Sequence, residues 1–242
     1  MVASHHLAKE DIPILPPEVS GNDLDRRVLR QLDGLEPDYA DRVARHLVMC
    51  ARMLDTDPEL AYRHARTAAD RAGRIGVVRE SAGIAAYVTG RYSEAIRELR
   101  TYQRLSGTLD YLPVIADCER GLGRPEKAVS IATSTEARQL EGDAKVEMAI
   151  VLAGARGDLG EFDAGLAVLS RLTRQMDTAE FAERIALARE RLEALAAGAS
   201  PEEADWIEVP PGDEDTATGQ ESETDQAPES AVRLLDLEEG EW

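Results

Sequence analysis

The chain has 242 residues, 43% of them apolar and only 4% aromatic, with the apolar content drawn mainly from Ala, Leu, Val and Ile. Such a composition favours close-packed helices over aromatic-rich strands, and the length supports one substantial core. The formal charge of -19 is concentrated at one end, because residues 198–242 hold 15 acids against the single base Arg233, a net of -14 that leaves -5 for residues 1–197. A nearly balanced body with a strongly acidic extension repels phosphate backbones and anionic bilayers, so nucleic-acid and membrane-surface roles are disfavoured.

In chain order, residues 1–21 mix His, Pro and acids, and the prolines of Ile12-Pro-Ile-Leu-Pro-Pro17 exclude a helix. A flexible arm is expected there, with Ile12–Leu15 also able to lie on an apolar groove as an extended strap. Asn22 or Asp23 then caps a short amphipathic helix in which Leu24, Val28, Leu29 and Leu32 share a face, ending near Gly34. Tyr39, Val43, Leu47, Cys50 and Leu54 recur every three or four residues and predict a long helix over 37–54. Pro58 opens the next helix, whose Ala61, His64, Ala65, Ala68 and Ala69 allow a close neighbour before Gly73 stops it.

The central stretch, residues 77–104, sets a pattern: small Gly83, turn residue Gly90, Tyr92 two positions on, and Ala95 three after that. It predicts two helices joined at Gly90 with small residues where they cross. The layout recurs at Gly123, Pro125 and Ala128 after the helix Tyr111–Leu122, and at Gly160, Phe162 and Gly165 after the helix Lys145–Leu159. The crossing positions Ala61, Ala95, Ala128 and Gly165 are separated by 34, 33 and 37 residues, the interval of a helical repeat. Ala179–Ala197 reads as a capping helix, apolar on one side and wet on the other. Residues 198–242 are too acidic and polar to bury a core and are expected to be disordered. Two apolar islands, 205–210 and 232–242, hold both tryptophans.

Over roughly residues 38–175 this pattern resembles the tetratricopeptide repeat family. The resemblance implies an all-α, right-handed α-solenoid of antiparallel helix pairs over residues 22–197, closed by the capping helix and followed by the disordered acidic tail 198–242. It departs at Met49, where the first copy lacks a small residue, and at Pro58 and Pro125, which replace the aromatic. The resemblance further implies a concave groove that receives a peptide or a partner surface. Carried onto this chain, its positions are His46, Cys50 and Met53; Val77, Glu80, Ile84, Tyr87 and Val88; Asp110, Pro113, Asp117, Arg120 and Gly121; and Glu147, Ile150 and Asp158. The Asn of a carboxylate clamp is missing, Asn22 being the sole asparagine.

The candidate partner-binding residues are Glu80, Ile84, Tyr87, Asp117, Arg120 and Arg124, although salt bridges between repeats would use the same charged groups. An alternative places binding in the tail, at the motifs around Trp206, Leu235 and Trp242, with the repeats presenting the tail or inhibited by it. Cys50 and Cys118 have neither a CxxC neighbour nor a histidine at metal-ligand spacing and read as buried apolar thiols. His46 and His64 can meet across one helix pair. No phosphate loop, nucleophile elbow or HExxH motif occurs. The expectation is a non-enzymatic adaptor without cofactor or metal that binds a protein or peptide partner. With no apolar run of signal-peptide or membrane-span length, it is expected in the cytoplasm.

Overall fold

The computed structural model describes residues 12–175 and 181–200, and the regular structure among them is helical throughout. The chain divides after Thr108 into two units. The first contains α1 (Arg26–Leu32), α2 (Pro37–Met53), α3 (Pro58–Ala72), α4 (Gly76–Val88) and α5 (Tyr92–Ser106); the second contains α6 (Leu112–Gly121), α7 (Pro125–Ala132), α8 (Gly142–Asp158), α9 (Phe162–Gln175) and α10 (Ala182–Ala196).

In the first unit α2 pairs with α3 and α4 with α5, and α3 and α2 both lie against α4. The alanine stripe of α3 explains the closeness: Ala61, Ala65 and Ala68 are fully buried, as are Val43, Leu47 and Val48 on α2 facing the same core. Gly83 plays the same part between α4 and α5, since a Cβ there would fall 2.6 Å from both Cγ and Cδ2 of Leu99. α1 rests on α2 and α4, and its Gln31 side chain accepts the otherwise orphaned N–H of Val77 at 3.1 Å in the first turn of α4.

The start of α1 corrects the sequence reading. Its N-cap is Asp25, whose carboxylate accepts the Arg27 N–H at 2.6 Å. Asn22 and Asp23 belong instead to a separate 3-10 turn, Gly21–Asp23, where Ser20 and Asp23 form a reciprocal capping box. The preceding residues 12–19 have no regular structure but are held to the unit. Val19 is buried, Pro16 offers its carbonyl to Arg45 at 2.8 Å, and Gly21 sits so close to α2 that a Cβ would meet that of Ala44 at 2.8 Å.

In the second unit α6 pairs with α7 and α8 with α9; both α6 and α7 lie on α8, and α10 closes against α8 and α9. Leu112, Ala116, Ala128, Leu140, Met148 and Val151 form one cluster, and Val146, Ala153, Leu169, Leu172, Ile185 and Leu192 another. The 37-residue interval between crossing positions reflects a longer α8, of 17 residues where α6 has 10, and a longer connection before it, offset in part by an α7 of 8 residues where α5 has 15.

One turn joins three of the four helix pairs. Gly90, Gly123 and Gly160 have φ of 70, 69 and 75°. The N–H of the following residue reaches back to Ala86, Glu119 and Arg156 respectively, at 2.7, 2.9 and 2.8 Å. This is the Schellman closure, and it needs a left-handed residue. The residue two beyond the glycine, Tyr92, Pro125 or Phe162, opens the second helix, which is why proline can replace the aromatic. Pro58 opens α3 in the same register after Asp57 caps it by accepting the Leu60 N–H at 3.0 Å.

Two glycine substitutions separate backbone from packing costs. Gly90→Ala, with nothing within 4 Å of the new methyl, should lose about 1–2 kcal/mol through its left-handed backbone alone. Gly83→Val should lose about 2 kcal/mol or more by driving into Leu99, beyond any gain in helix propensity. Urea titration of helicity checks both, and a smaller loss for Gly83→Val than for Gly90→Ala would contradict this assignment.

Candidate functional site

The polar side chains within each unit are used mainly to tie helices together. From α3 to α5 three links share one sequence separation. Arg91 donates to both carboxylate oxygens of Glu59 at 2.8 and 2.9 Å. Tyr62 donates to Glu94 at 2.7 Å, and Arg66 pairs with Glu98 at 3.7 Å. Each spans 32 residues, so a row along α3 meets a row along α5. Arg91 also stacks over the Tyr62 ring at 4.1 Å. Burial, followed by the bond to Glu94, pushes the Tyr62 phenol up to about 12.

Glu98 is the centre of this row. It is 1% exposed, yet its carboxylate meets Arg66, Arg97 at 3.0 Å, and Arg79 from α4. Arg79 in turn donates from Nε to the Gly73 carbonyl at 2.6 Å, and Arg66 also pairs with Glu94 and Asp70, each at 3.0 Å. A buried carboxylate persists only with such compensation. Sequence reasoning missed Glu98, Arg66 and Arg79; the signal was the opposite-charge pairing at 32 residues, two fewer than the interval of the repeat.

In the second unit Arg120 of α6 joins two helices. Its Nε donates to Asp158 of α8 at 2.7 Å and an NH group to Asp117 at 2.8 Å, while the guanidinium lies over Gly154, where a Cβ would come within 2.9 Å of Cζ. Burial alone would lower its pKa, but Asp158 and Asp117 hold it above the ordinary arginine value. Glu147, 8% exposed, is bound by Arg184 of α10 through both guanidinium nitrogens, one at 2.6 Å.

The sequence-derived binding residues therefore fall into three groups. Glu80 and Ile84 are buried in α4, at 9% and 3% exposure, so neither side chain is offered to a partner. Tyr87 is half-buried, its ring 6.1 Å from that of Tyr92. Asp117 and Arg120 form the bridge to α8, whereas Arg124 is exposed and reaches Glu119 at 3.3 Å. Trp206, Leu235 and Trp242 lie outside the described residues. Of the other groove positions, His46, Cys50, Val77, Pro113 and Glu147 are also buried. Val77 lies beside α1, which the repeat pattern does not foresee and whose Gln31 accepts its N–H, and His46 is turned towards His64 of α3.

His46 and His64 do meet, with Nδ1 to Nδ1 at 2.9 Å across the α2/α3 pair, and both are at most 3% exposed. Burial first, then neighbouring positive charge, lowers each to about 4: His64, Arg71 and Arg45 act on His46, and Arg63 on His64. Cys50 and Cys118 are free and buried, and burial raises both thiols, Cys50 to about 12. Among the described residues no group of His, Cys, Asp and Glu could hold a metal ion, and no helix is long and apolar enough to cross a membrane. No family model matches the chain, nor does any curated protein or solved structure.

Glu98→Ala should cost about 2–3 kcal/mol, because it empties a buried site, leaves Arg79 only the Gly73 carbonyl and takes one of three acidic partners from Arg66; Glu59→Ala, in an exposed pair, should cost about 1 kcal/mol or less. Denaturant titration of the two variants distinguishes a buried hub from a surface pair. Arg120→Glu, which sets a third carboxylate between Asp117 and Asp158, should lower stability by about 2 kcal/mol or more. An unchanged midpoint for that variant would show that the bridge to α8 contributes nothing.

Proposed function

We propose that the chain is a non-enzymatic helical scaffold that binds another protein on the surfaces of its stacked hairpins. An all-α chain of antiparallel helix pairs is consistent with a non-catalytic scaffold capable of protein binding. The observation that carries the reading is the destination of the buried charge: Glu98, Arg66, Arg120 and Glu147 each join one helix to another. Charge spent this way stiffens a surface, and a preorganised surface binds at lower entropic cost. The resemblance to tetratricopeptide repeats points the same way and favours an extended peptide or helix as the bound element.

The accessible members of the candidate set are Tyr87, Asp117 and Arg124. A half-buried tyrosine supplies area and a hydrogen-bonding tip at small rotamer cost, and exposed or half-exposed charges orient the partner and speed its arrival. Tyr87 belongs to the first unit and the charged pair to the second, so each unit is proposed to contribute its own contacts. Arg120 is better regarded as the support that fixes Asp117, and its loss would confuse binding with stability.

A second reading assigns recognition to the acidic segment, where a net charge of -14 and both tryptophans are gathered. Affinity capture from a cell extract, using the full chain beside one that ends at Gly198, separates the two. Retention of the same partner by both, together with at least tenfold weaker capture by Arg124→Glu or Tyr87→Ala at unchanged helicity, is the outcome expected of the scaffold reading. Complete loss of partners on truncation would transfer recognition to the acidic segment.

A further inference from the structure

The α2/α3 pair encloses two imidazoles with no acid paired to either among the described residues, an arrangement that tolerates only one protonation state. A contact of 2.9 Å between two Nδ1 atoms requires one to donate and the other to accept. The direction is set by His64 Nε2, which is buried and has no hydrogen-bond partner among the described residues. Were His64 the acceptor at Nδ1, its proton would sit on Nε2 as an orphaned buried N–H, the costlier of the two defects. His64 therefore donates from Nδ1, leaving Nε2 as a bare lone pair, and His46 accepts at Nδ1 with its own proton on Nε2.

Neither ring can take up a further proton in place. On His46 the proton would go to Nδ1 and turn the bond into two opposed N–H groups. On His64 it would go to Nε2, a buried cation with no acceptor. The surroundings add no relief. Arg45 on α2 and Arg63 and Arg71 on α3 are all cationic. The charged groups of α4 are Arg79, engaged by Gly73 and Glu98, and Glu80, which is 9% exposed. The 3-10 turn brings Asp23, already paired with Arg52 at 3.0 Å, and α1, resting on α2, brings the exposed Arg26, Arg27 and Arg30.

We propose that the His46–His64 pair makes the first helix hairpin an acid-sensitive latch, closed at neutral pH and opened when protons bind the separated imidazoles. Opening exposes Cys50, which lies one turn beyond His46 on α2 and is 1% exposed when the latch is closed. It also withdraws the surface on which α1 and α4 rest. The sign is fixed by linkage: a base held lower in the folded state, here about 4 against 6.5, makes stability highest above the unfolded value and progressively lost as pH falls from 6.5 towards 4.

The full chain reports this through its own two thiols. It would be labelled with 4,4′-dithiodipyridine from pH 7.5 to 4.5, with rates normalised to a free thiol at each pH and sites separated by mass spectrometry. Cys50 is expected to react at least about tenfold faster at pH 5 than at pH 7.5, while Cys118, in the other unit, stays protected. Replacing the pair, as His46→Leu with His64→Leu, should abolish the rise. As a check that needs no variant, imidazole nitrogen shifts at pH 7 should show His64 protonated on Nδ1 and His46 on Nε2. A flat Cys50 rate, a rise shared equally by Cys118, a rise that survives in the leucine pair, or the reverse tautomers would each overturn the latch.

Discussion

The architecture rests on how closely paired helices approach at their crossing points. Ala61, Ala95 and Ala128 have no exposure at all, and Gly83 lies where any Cβ would strike Leu99. Close approach brings backbone and aliphatic atoms into dense contact, the source of most helical stability in a chain with so few aromatics. It also fixes the register, because helices held at their small residues cannot slide without placing a larger side chain at the crossing. The left-handed glycine turns are then the shortest closure that returns the chain at that spacing.

Fixed register is what allows charge to be buried. The Glu59–Arg91, Tyr62–Glu94 and Arg66–Glu98 links all span 32 residues because α3 and α5 are locked with one offset. A slip of one residue would turn each group away from its partner and leave Glu98 only Arg79 and Arg97. Ionic pairing of this kind adds little net stability compared with apolar packing, but it penalises alternative alignments heavily. The first unit thus holds two solutions to buried polarity. At Glu98 the charge is kept and surrounded by guanidinium groups, whereas at His46 and His64 charge is refused and a neutral pair is kept.

The helices and their turns were legible because they depend on local chemistry. Gly90, Gly123 and Gly160 stand where a side chain would strain a left-handed backbone, and Pro58 and Pro125 where a missing N–H is harmless. The start of α1 was misplaced because two capping signals, Ser20 with Asp23 and then Asp25, occur within six residues of each other. The candidate site was less legible for a different reason. Aligning copies position by position shows which residues are equivalent, but neighbouring helices meet with an offset, so Arg66 and Glu98 belong to unlike positions. Glu80 and Ile84 carried the marks of groove residues, and their burial depends on packing that no periodicity contains. Arg120 could be singled out as polar and semi-buried; that its acceptor is Asp158, 38 residues away, required the fold.

The last helix shows why a glycine replaces alanine at the final crossing. α10 inserts Leu192 against α8 and α9, and a Cβ on Gly157 would fall 2.5 Å from its Cδ2, one on Gly165 3.0 Å from its Cδ1. Gly165 is pressed from the other side by the Ala153 carbonyl at 2.9 Å, so the position serves two contacts where Ala61, Ala95 and Ala128 leave room for a methyl. Arg184 meanwhile neutralises Glu147, whose carboxylate would otherwise be buried alone. One leucine in a glycine slot and one guanidinium on a buried acid attach α10 by independent means, apolar and ionic. Gly198, with φ of 96°, then ends the helix by the same closure that turns three of the earlier pairs. The motif that returns the chain after α4, α6 and α8 thus also closes α10.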